Sequence, residues 1–155
     1  MSTIWAPWRI DYIISDKGQG CALCTAAVDG DGLVLKKGEQ CYAIMNRYPY
    51  TTGHCMVAPY RHTGDLASLT AQELSEMMSM VQDIVRAIRK GMSPDGFNIG
   101  CNLGAVAGAG IADHLHLHIV PRWKGDTNFM PVLGDVHVIS EHIVSTLDKI
   151  RENLP

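Results

Sequence analysis

No apolar run in these 155 residues approaches the roughly 20 needed to cross a bilayer, so no membrane partner is expected. The opening stretch Met1-Ser2-Thr3-Ile4-Trp5-Ala6-Pro7-Trp8-Arg9 lacks a signal peptide's uninterrupted hydrophobic segment, which makes the cytoplasm the expected compartment. Excess positive charge is also missing: 13 Lys and Arg stand against 16 Asp and Glu, a formal net charge of −3. That balance gives no electrostatic footprint for nucleic acid, and any anionic ligand must be held by local groups. The five cysteines, at 21, 24, 41, 55 and 101, are odd in number and carry no export signal with them, which argues against a disulfide framework. Repeats, low-complexity tracts and internal linkers are absent as well. With 46% apolar and 19% charged residues the chain suits a single globular domain over 1–155. A chain of this length buries about two-thirds of the surface its unfolded form exposes.

Short apolar runs separated by turn signals fill the first half. Residues 1–20 are aromatic-rich and then polar, and are expected to form an N-terminal arm packed on the domain. Gly30-Asp31-Gly32 marks a turn. The runs Leu33 to Leu35 and Cys41 to Met45, on either side of Lys36-Lys37-Gly38-Glu39, predict a hairpin. A loop follows over Asn46-Arg47-Tyr48-Pro49-Tyr50-Thr51-Thr52-Gly53, and then a strand from His54 to Pro59. Over 70–90 the spacing predicts the longest helix. Thr70-x-x-Glu73 forms a capping box, in which two side chains reciprocally satisfy free backbone amides. Leu74, Met77, Met78, Val81, Ile84, Val85 and Ile88 continue on one stripe, and Gly91 closes the segment. That spacing assigns the methionines at 77, 78 and 80 to core packing rather than to a sticky surface. Phe97 to Leu103 and His114 to Val120 read as strands, and Ser140 to Asn153 as a shorter helix. Short strands with one long helix predict an α+β domain around an antiparallel sheet.

Two clusters carry chemistry. Cys21-Ala22-Leu23-Cys24 is spaced to place two thiolates on one zinc, or to form a redox dithiol. Cys41, Cys55 and Cys101 sit in apolar stretches and read as small core residues. In His114-Leu115-His116-Leu117-His118-Ile119-Val120 three histidines alternate with apolar residues, and on a strand they share one face. A merely polar strand face would mix Thr, Ser, Lys and Glu. Three imidazoles on one face can instead ligate a metal, or form a nucleophilic site in which one attacks and its neighbours orient it. The small-residue loop Asn102-Leu103-Gly104-Ala105-Val106-Ala107-Gly108-Ala109-Gly110-Ile111 leads into this segment and lets backbone amides approach an anion, which favours phosphate chemistry. His137 and His142 lie outside both clusters and are expected at the surface.

The histidine segment resembles the signature of the histidine triad (HIT) superfamily, His-φ-His-φ-His-φ-φ with φ apolar, and matches it throughout. Asn46-Arg47-x-Pro49-x-x-x-Gly53-His54 and Ala58-Pro59-x-Arg61-His62 resemble the nucleoside-binding strand pair of that family. Trp5-Ala6-Pro7-Trp8-Arg9, Pro121-Arg122-Trp123 and Gly125-Asp126-Thr127-Asn128-Phe129-Met130 resemble the branch that includes bacterial diadenosine tetraphosphate phosphorylases of the ATP adenylyltransferase type. The resemblance implies a HIT-like fold, a five-stranded antiparallel sheet with one long and one short helix, dimerised through helix and strand surfaces. It implies an enzyme that transfers or hydrolyses nucleotidyl groups at the α-phosphate of purine nucleotide derivatives, dinucleoside polyphosphates among them.

Within that resemblance His114, His116 and His118 are the catalytic histidines. His116 would attack the α-phosphorus and form a nucleotidyl-histidine intermediate, which phosphate or water then resolves. His118 and the amides around Gly108, Ala109 and Gly110 would donate to phosphate oxygens. Asn46 matches the position that contacts the ribose hydroxyls, its amide able both to donate and to accept. Asn102 and Trp123 match substrate-side positions of the branch, and His54 a structural position on its strand. Members with C-x-x-C hold a structural zinc, and the matching positions here are Cys21, Cys24, His62 and His114, a closed Cys₂His₂ set. One departure stands out: these phosphorylases commonly carry Gly-Ser where this chain has Ala109-Gly110. The missing hydroxyl leaves water beside phosphate as the second acceptor, which would make the chain a HIT-type nucleotide hydrolase or an adenosine phosphoramidase. A nucleotide-binding protein with little turnover is the non-enzymatic alternative.

Overall fold

All five residues of Cys41–Met45 are buried, and four of the five in Cys55–Pro59, so these two strands form the middle of the sheet. They are β2 and β3, preceded by β1 (Val34–Lys37) and followed by β4 (Gly96–Gly100) and β5 (Leu117–Arg122). The sheet order is β1-β2-β3-β5-β4, with every neighbouring pair antiparallel. Its structure, a computed structural model, describes residues 20–29, 32–126 and 138–155. The expected arm up to residue 19, most of the turn at 30–32, the motif residues from Thr127 to Met130, and His137 lie outside the described residues.

Among the described residues three α-helices accompany the sheet, α1 (Ala22–Asp29), α2 (Ala71–Met92) and α3 (Ile143–Arg151), where one long and one short were expected. The helix missed by sequence reading is α1, only 8 residues long and therefore too short to print a clear apolar period. Tertiary contacts hold it: Leu23, Ala26 and Ala27 are buried, and the Tyr42 hydroxyl donates to the Leu23 carbonyl at 2.7 Å.

Helix α2 packs on β2, β3 and β5, and α3 packs on α2. Its capping box is present as expected, with Thr70 accepting from the Glu73 amide and Glu73 from the Thr70 amide. The buried face is rotated from the expected stripe: Met77, Met80, Val81, Ile84, Ala87 and Ile88 are buried, while Leu74 and Met78 are 41% and 50% exposed. Buried Glu73 explains part of this, because Arg61 clasps its carboxylate through two bonds, at 2.9 and 2.8 Å, and holds it well below the usual range at about 2. The helix also runs through Gly91 and ends at Ser93, which takes the left-handed conformation (φ 49°). Gly91 serves a close approach instead: a Cβ there would lie 3.1 Å from the Lys149 carbonyl of α3. The last helix starts at Ile143, later than expected, because His142 caps it by accepting from the Val144 amide at 3.3 Å.

Strand β5 begins at Leu117, so His114 and His116 precede the strand on which they were expected. Proline is the cause. The Tyr60 amide donates to Gln40 across from β2, so in the alternation of an antiparallel ladder the amides of β3 that face β5 belong to residues 55, 57 and 59. The last of these is Pro59, which has no N–H. Leu115 donates instead to the Thr63 carbonyl at 2.7 Å, and the ladder ends. Likewise β4 stops at Gly100, opposite His118, rather than continuing to Leu103.

Candidate active site

Each triad histidine meets a backbone partner or a neighbouring imidazole that fixes its proton. The Pro59 carbonyl accepts from His114 Nε2–H at 2.8 Å, which leaves His114 Nδ1 as a lone pair. The His114 carbonyl in turn accepts from His116 Nδ1–H at 2.8 Å, which leaves His116 Nε2 unprotonated in the neutral ring. His118 is set by a longer chain. The Tyr50 amide donates to His54 Nδ1 at 3.1 Å, so His54 carries its proton on Nε2 and donates to His118 Nδ1 at 2.9 Å. His118 therefore presents Nε2–H. The rings of His116 and His118 meet edge to face with centroids 4.8 Å apart. The site thus sets a lone pair on one imidazole beside an N–H donor on the next.

Burial keeps His54 and His118 neutral. It pushes His54 down to about 3, helped by the positive charge His118 and His116 would carry. It also pushes His118 down to about 4, with His116 adding to the effect. The Tyr50 ring packs over both, with centroids 4.6 Å from His54 and 5.9 Å from His118. Sequence reading gave His54 only a structural place. Its part in setting the His118 tautomer depends on the Tyr50 amide, which no side-chain pattern reveals.

The loop before the triad is shaped for backbone donors. A 3-10 turn, Ala105–Ala107, lies between Gly104 (φ 81°) and Gly108 (φ 89°), both at positive φ and the second left-handed. The Asn102 amide donates to the Gly108 carbonyl at 3.3 Å, so Asn102 organises this loop. Ala109 is half-buried, whereas Gly108 and Gly110 are exposed. The amides of Gly110 and Ile111 have no backbone partner among the described residues. Gly110 has no positive φ, and a Cβ there would meet nothing within 4 Å.

Asn46 Oδ1 accepts from the Tyr48 amide at 2.9 Å, and its Nδ2 lies 3.3 Å from His54 Nδ1, so this side chain builds the turn beside His54. Among the described residues no hydrogen bond or ring contact joins Trp123 to the triad. It follows His116 by seven positions, roughly 20 Å along an extended strand. Its indole N–H donates to the Met92 carbonyl at 3.3 Å, and it lines a cavity of about 700 Å³ between Tyr50 and Lys149.

Cys21, Cys24, His62 and His114 come together as expected, their four donor atoms all within 4.8 Å of one another. His114 Nδ1 lies 3.2 Å from Cys21 Sγ, and 3.4 Å from both Cys24 Sγ and His62 Nδ1. Cys24 Sγ is likewise 3.4 Å from His62 Nδ1. A tetrahedron with bonds of about 2.0–2.3 Å has edges of roughly 3.3–3.8 Å, so the set fits a metal ion with no open position. Of the remaining cysteines, Cys41 and Cys55 are buried as expected, but Cys101 is only half-buried. His142 is exposed, as expected.

The chain belongs to the HIT domain family, whose model matches residues 30–125. It is 38% identical to the AP-4-A phosphorylase of Mycobacterium tuberculosis over 157 aligned positions, 94% of this chain and 80% of that protein. Among solved structures it resembles a zinc-bound histidine triad family protein of Mycobacterium smegmatis, with a TM-score of 0.71 at 28% identity, covering 86% of this chain and 92% of that one. A hypothetical histidine triad nucleotide-binding protein of Sulfolobus tokodaii matches with the same TM-score, 0.71, at 27% identity, covering 86% and 91% of the two chains.

Proposed function

We propose that this protein is a nucleotidyltransferase that cleaves diadenosine tetraphosphate by phosphorolysis, through a nucleotide bound covalently to His116. The observation that carries the reading is the opposed protonation of His116 and His118. His116 Nε2 attacks the α-phosphorus, forming a P–N bond as the P–O bond to the leaving nucleotide breaks. His118 Nε2–H and the amides around Gly108, Ala109 and Gly110 donate to the phosphate oxygens as charge moves onto them. ATP departs, and an oxygen of inorganic phosphate then displaces His116 to give ADP. The likeness to AP-4-A phosphorylase supports both substrate and reaction. Asn46 and Trp123 are the proposed nucleoside contacts, and Asn102 supports the phosphate loop.

Cys21, Cys24, His62 and His114 are proposed to hold a zinc ion. Bound there, zinc supplies a structural cross-link and no Lewis acid to the substrate, because all four positions are filled by protein. The protein is proposed to be a cytoplasmic homodimer formed through α2 and the edge strand β4, where Leu74, Met78 and Ile99 are 41%, 50% and 46% exposed. Gly110 favours a second reading, hydrolysis, because the chain offers no hydroxyl there to hold phosphate.

Product analysis with diadenosine tetraphosphate, with and without inorganic phosphate, tests the proposal. ADP and ATP formed only with phosphate support it. AMP and ATP regardless of phosphate would make the enzyme a hydrolase. No turnover by a folded, nucleotide-binding protein would overturn both.

A further inference from the structure

The metal-ligand cluster and the nucleophile meet in one residue. His114 offers Nδ1 to the sulfurs, 3.2 Å from Cys21 and 3.4 Å from Cys24, and its carbonyl holds His116 Nδ1–H at 2.8 Å. Its imidazole is 0% exposed, and its other nitrogen is committed to the Pro59 carbonyl. Nδ1 therefore depends on the cluster for a partner. Both sulfurs come from one turn of chain, Cys21 directly before α1 and Cys24 within its first turn. Both residues are half-buried, and His62 is exposed, so the cluster is open to solvent along one side. By contrast Cys41 and Cys55 are sealed in the core, and burial keeps both thiols protonated and unreactive, Cys41 at about 12.

We propose that Cys21 and Cys24 form a thiol switch, whose oxidation to a disulfide releases the metal and withdraws the support that holds His116 in its nucleophilic tautomer. This inference rests on the proposed role of His116. The oxidant is a peroxide: two thiolates lose two electrons and form one S–S bond, hydrogen peroxide takes these with two protons to give two waters, and the metal leaves as a dication. Residues three apart on a helical turn lie close enough for that bond with local adjustment. The consequence for the site follows from donor counting. A disulfide has no S–H to offer, so among the described residues His114 Nδ1 keeps only the exposed His62 ring as a neighbour, 3.4 Å away at Nδ1. Shifting the ring proton from Nε2 to Nδ1 does not help, since it would strand the Pro59 carbonyl. Freed of the metal, the His62 ring is exposed and exchanges that contact for water, so the segment entering β5 shifts and the His114 carbonyl moves with it. His116 then loses the acceptor that keeps its proton on Nδ1 and its lone pair on Nε2.

The test uses the zinc-loaded full chain carrying Cys101→Ser, treated with one equivalent of hydrogen peroxide. Zinc release is followed with a chromogenic chelator, the disulfide by peptide mapping and a mass loss of about 2 Da, and the His116 tautomer by nitrogen-15 NMR. The expected result is a Cys21–Cys24 disulfide, zinc in solution, a changed His116 signature, and turnover lowered by about tenfold or more. All four should return with dithiothreitol and zinc. A mapped disulfide with zinc released, but His116 signature and turnover unchanged, would overturn the coupling. Thiols that keep their zinc under peroxide would overturn the switch itself. If Cys101→Ser folds poorly, the unsubstituted chain gives the same readouts, because mapping assigns the disulfide. Should the reduced protein show no turnover, the proposed activity fails on its own, and zinc release with the tautomer signature still decides the switch.

Discussion

The carbonyl oxygen of His114 lies 2.8 Å from Nδ1 of His116, two residues further along the chain. A carbonyl can only accept, so this contact alone decides which nitrogen of His116 is free. Replacing His116 by alanine should lower turnover at least about a thousandfold. The stability cost should stay near the ~1 kcal/mol of one hydrogen bond. Steady-state kinetics and urea melting of the same preparation check both, and substantial turnover in a folded His116→Ala protein would remove His116 from the mechanism.

Stability should fall as the solution is acidified from pH 6.5 toward pH 4. His54 and His118 titrate near 3 and 4 in the folded protein, against about 6.5 in the unfolded chain. Between those values the unfolded chain binds more protons, so stability drops as pH drops, approaching about 1.4 kcal/mol per pH unit for each group. Denaturant melts at pH 7, 6 and 5 measure the slope. His54→Gln removes one of the two groups and should flatten it.

Zinc should bind at about one per chain, depend on Cys21 and Cys24, and be indifferent to His116. At a thousandfold excess over its dissociation constant, a ligand of the folded state adds about 4 kcal/mol. In a chain of this size that corresponds to a melting shift of roughly 10 °C. Metal analysis and thermal melting of the parent, Cys24→Ser and His116→Ala proteins, before and after chelation, provide the check.

Gly110→Ser should fold normally, since its backbone is not left-handed and a Cβ would meet nothing within 4 Å. A stability change within about 0.5 kcal/mol is expected. The added hydroxyl supplies a donor next to the phosphate loop, so the ratio of ADP to AMP formed in the presence of phosphate should rise. An unchanged ratio would show that residue 110 does not select the acceptor.

The triad and the Cys21–Cys24 pair were legible because both are written in side chains at recognisable spacings, while His62 and His114 joined that pair only through the resemblance to HIT proteins. What escaped was decided by the backbone. His114 and His116 left the strand because Pro59 has no amide to continue the ladder. The role of His54 turns on the amide of Tyr50, four residues earlier. Helix α1 is too short to show a period and owes its place to Leu23, Ala26, Ala27 and Tyr42. Met78 obeys the helical spacing yet faces outward, since spacing gives relative positions on a helix and only packing decides which arc is buried. Gly91 read as a stop because glycine often ends helices. Here it makes room for α3.

Arg151 reaches from α3 to the carbonyls of Gly32 and Val34, beside and within β1. The pairing of β1 with β2 is also irregular between Val34 and Lys36. A charged plug and a bulge are both ways of blunting a sheet edge against further pairing. Among the described residues the sheet is therefore asymmetric at its margins, guarded at β1 and exposed at β4. Strand addition is thereby disfavoured at β1. Two copies joined edge to edge at β4 would leave the guarded β1 margins facing outward, so such a pair would be closed and would not propagate into a fibre.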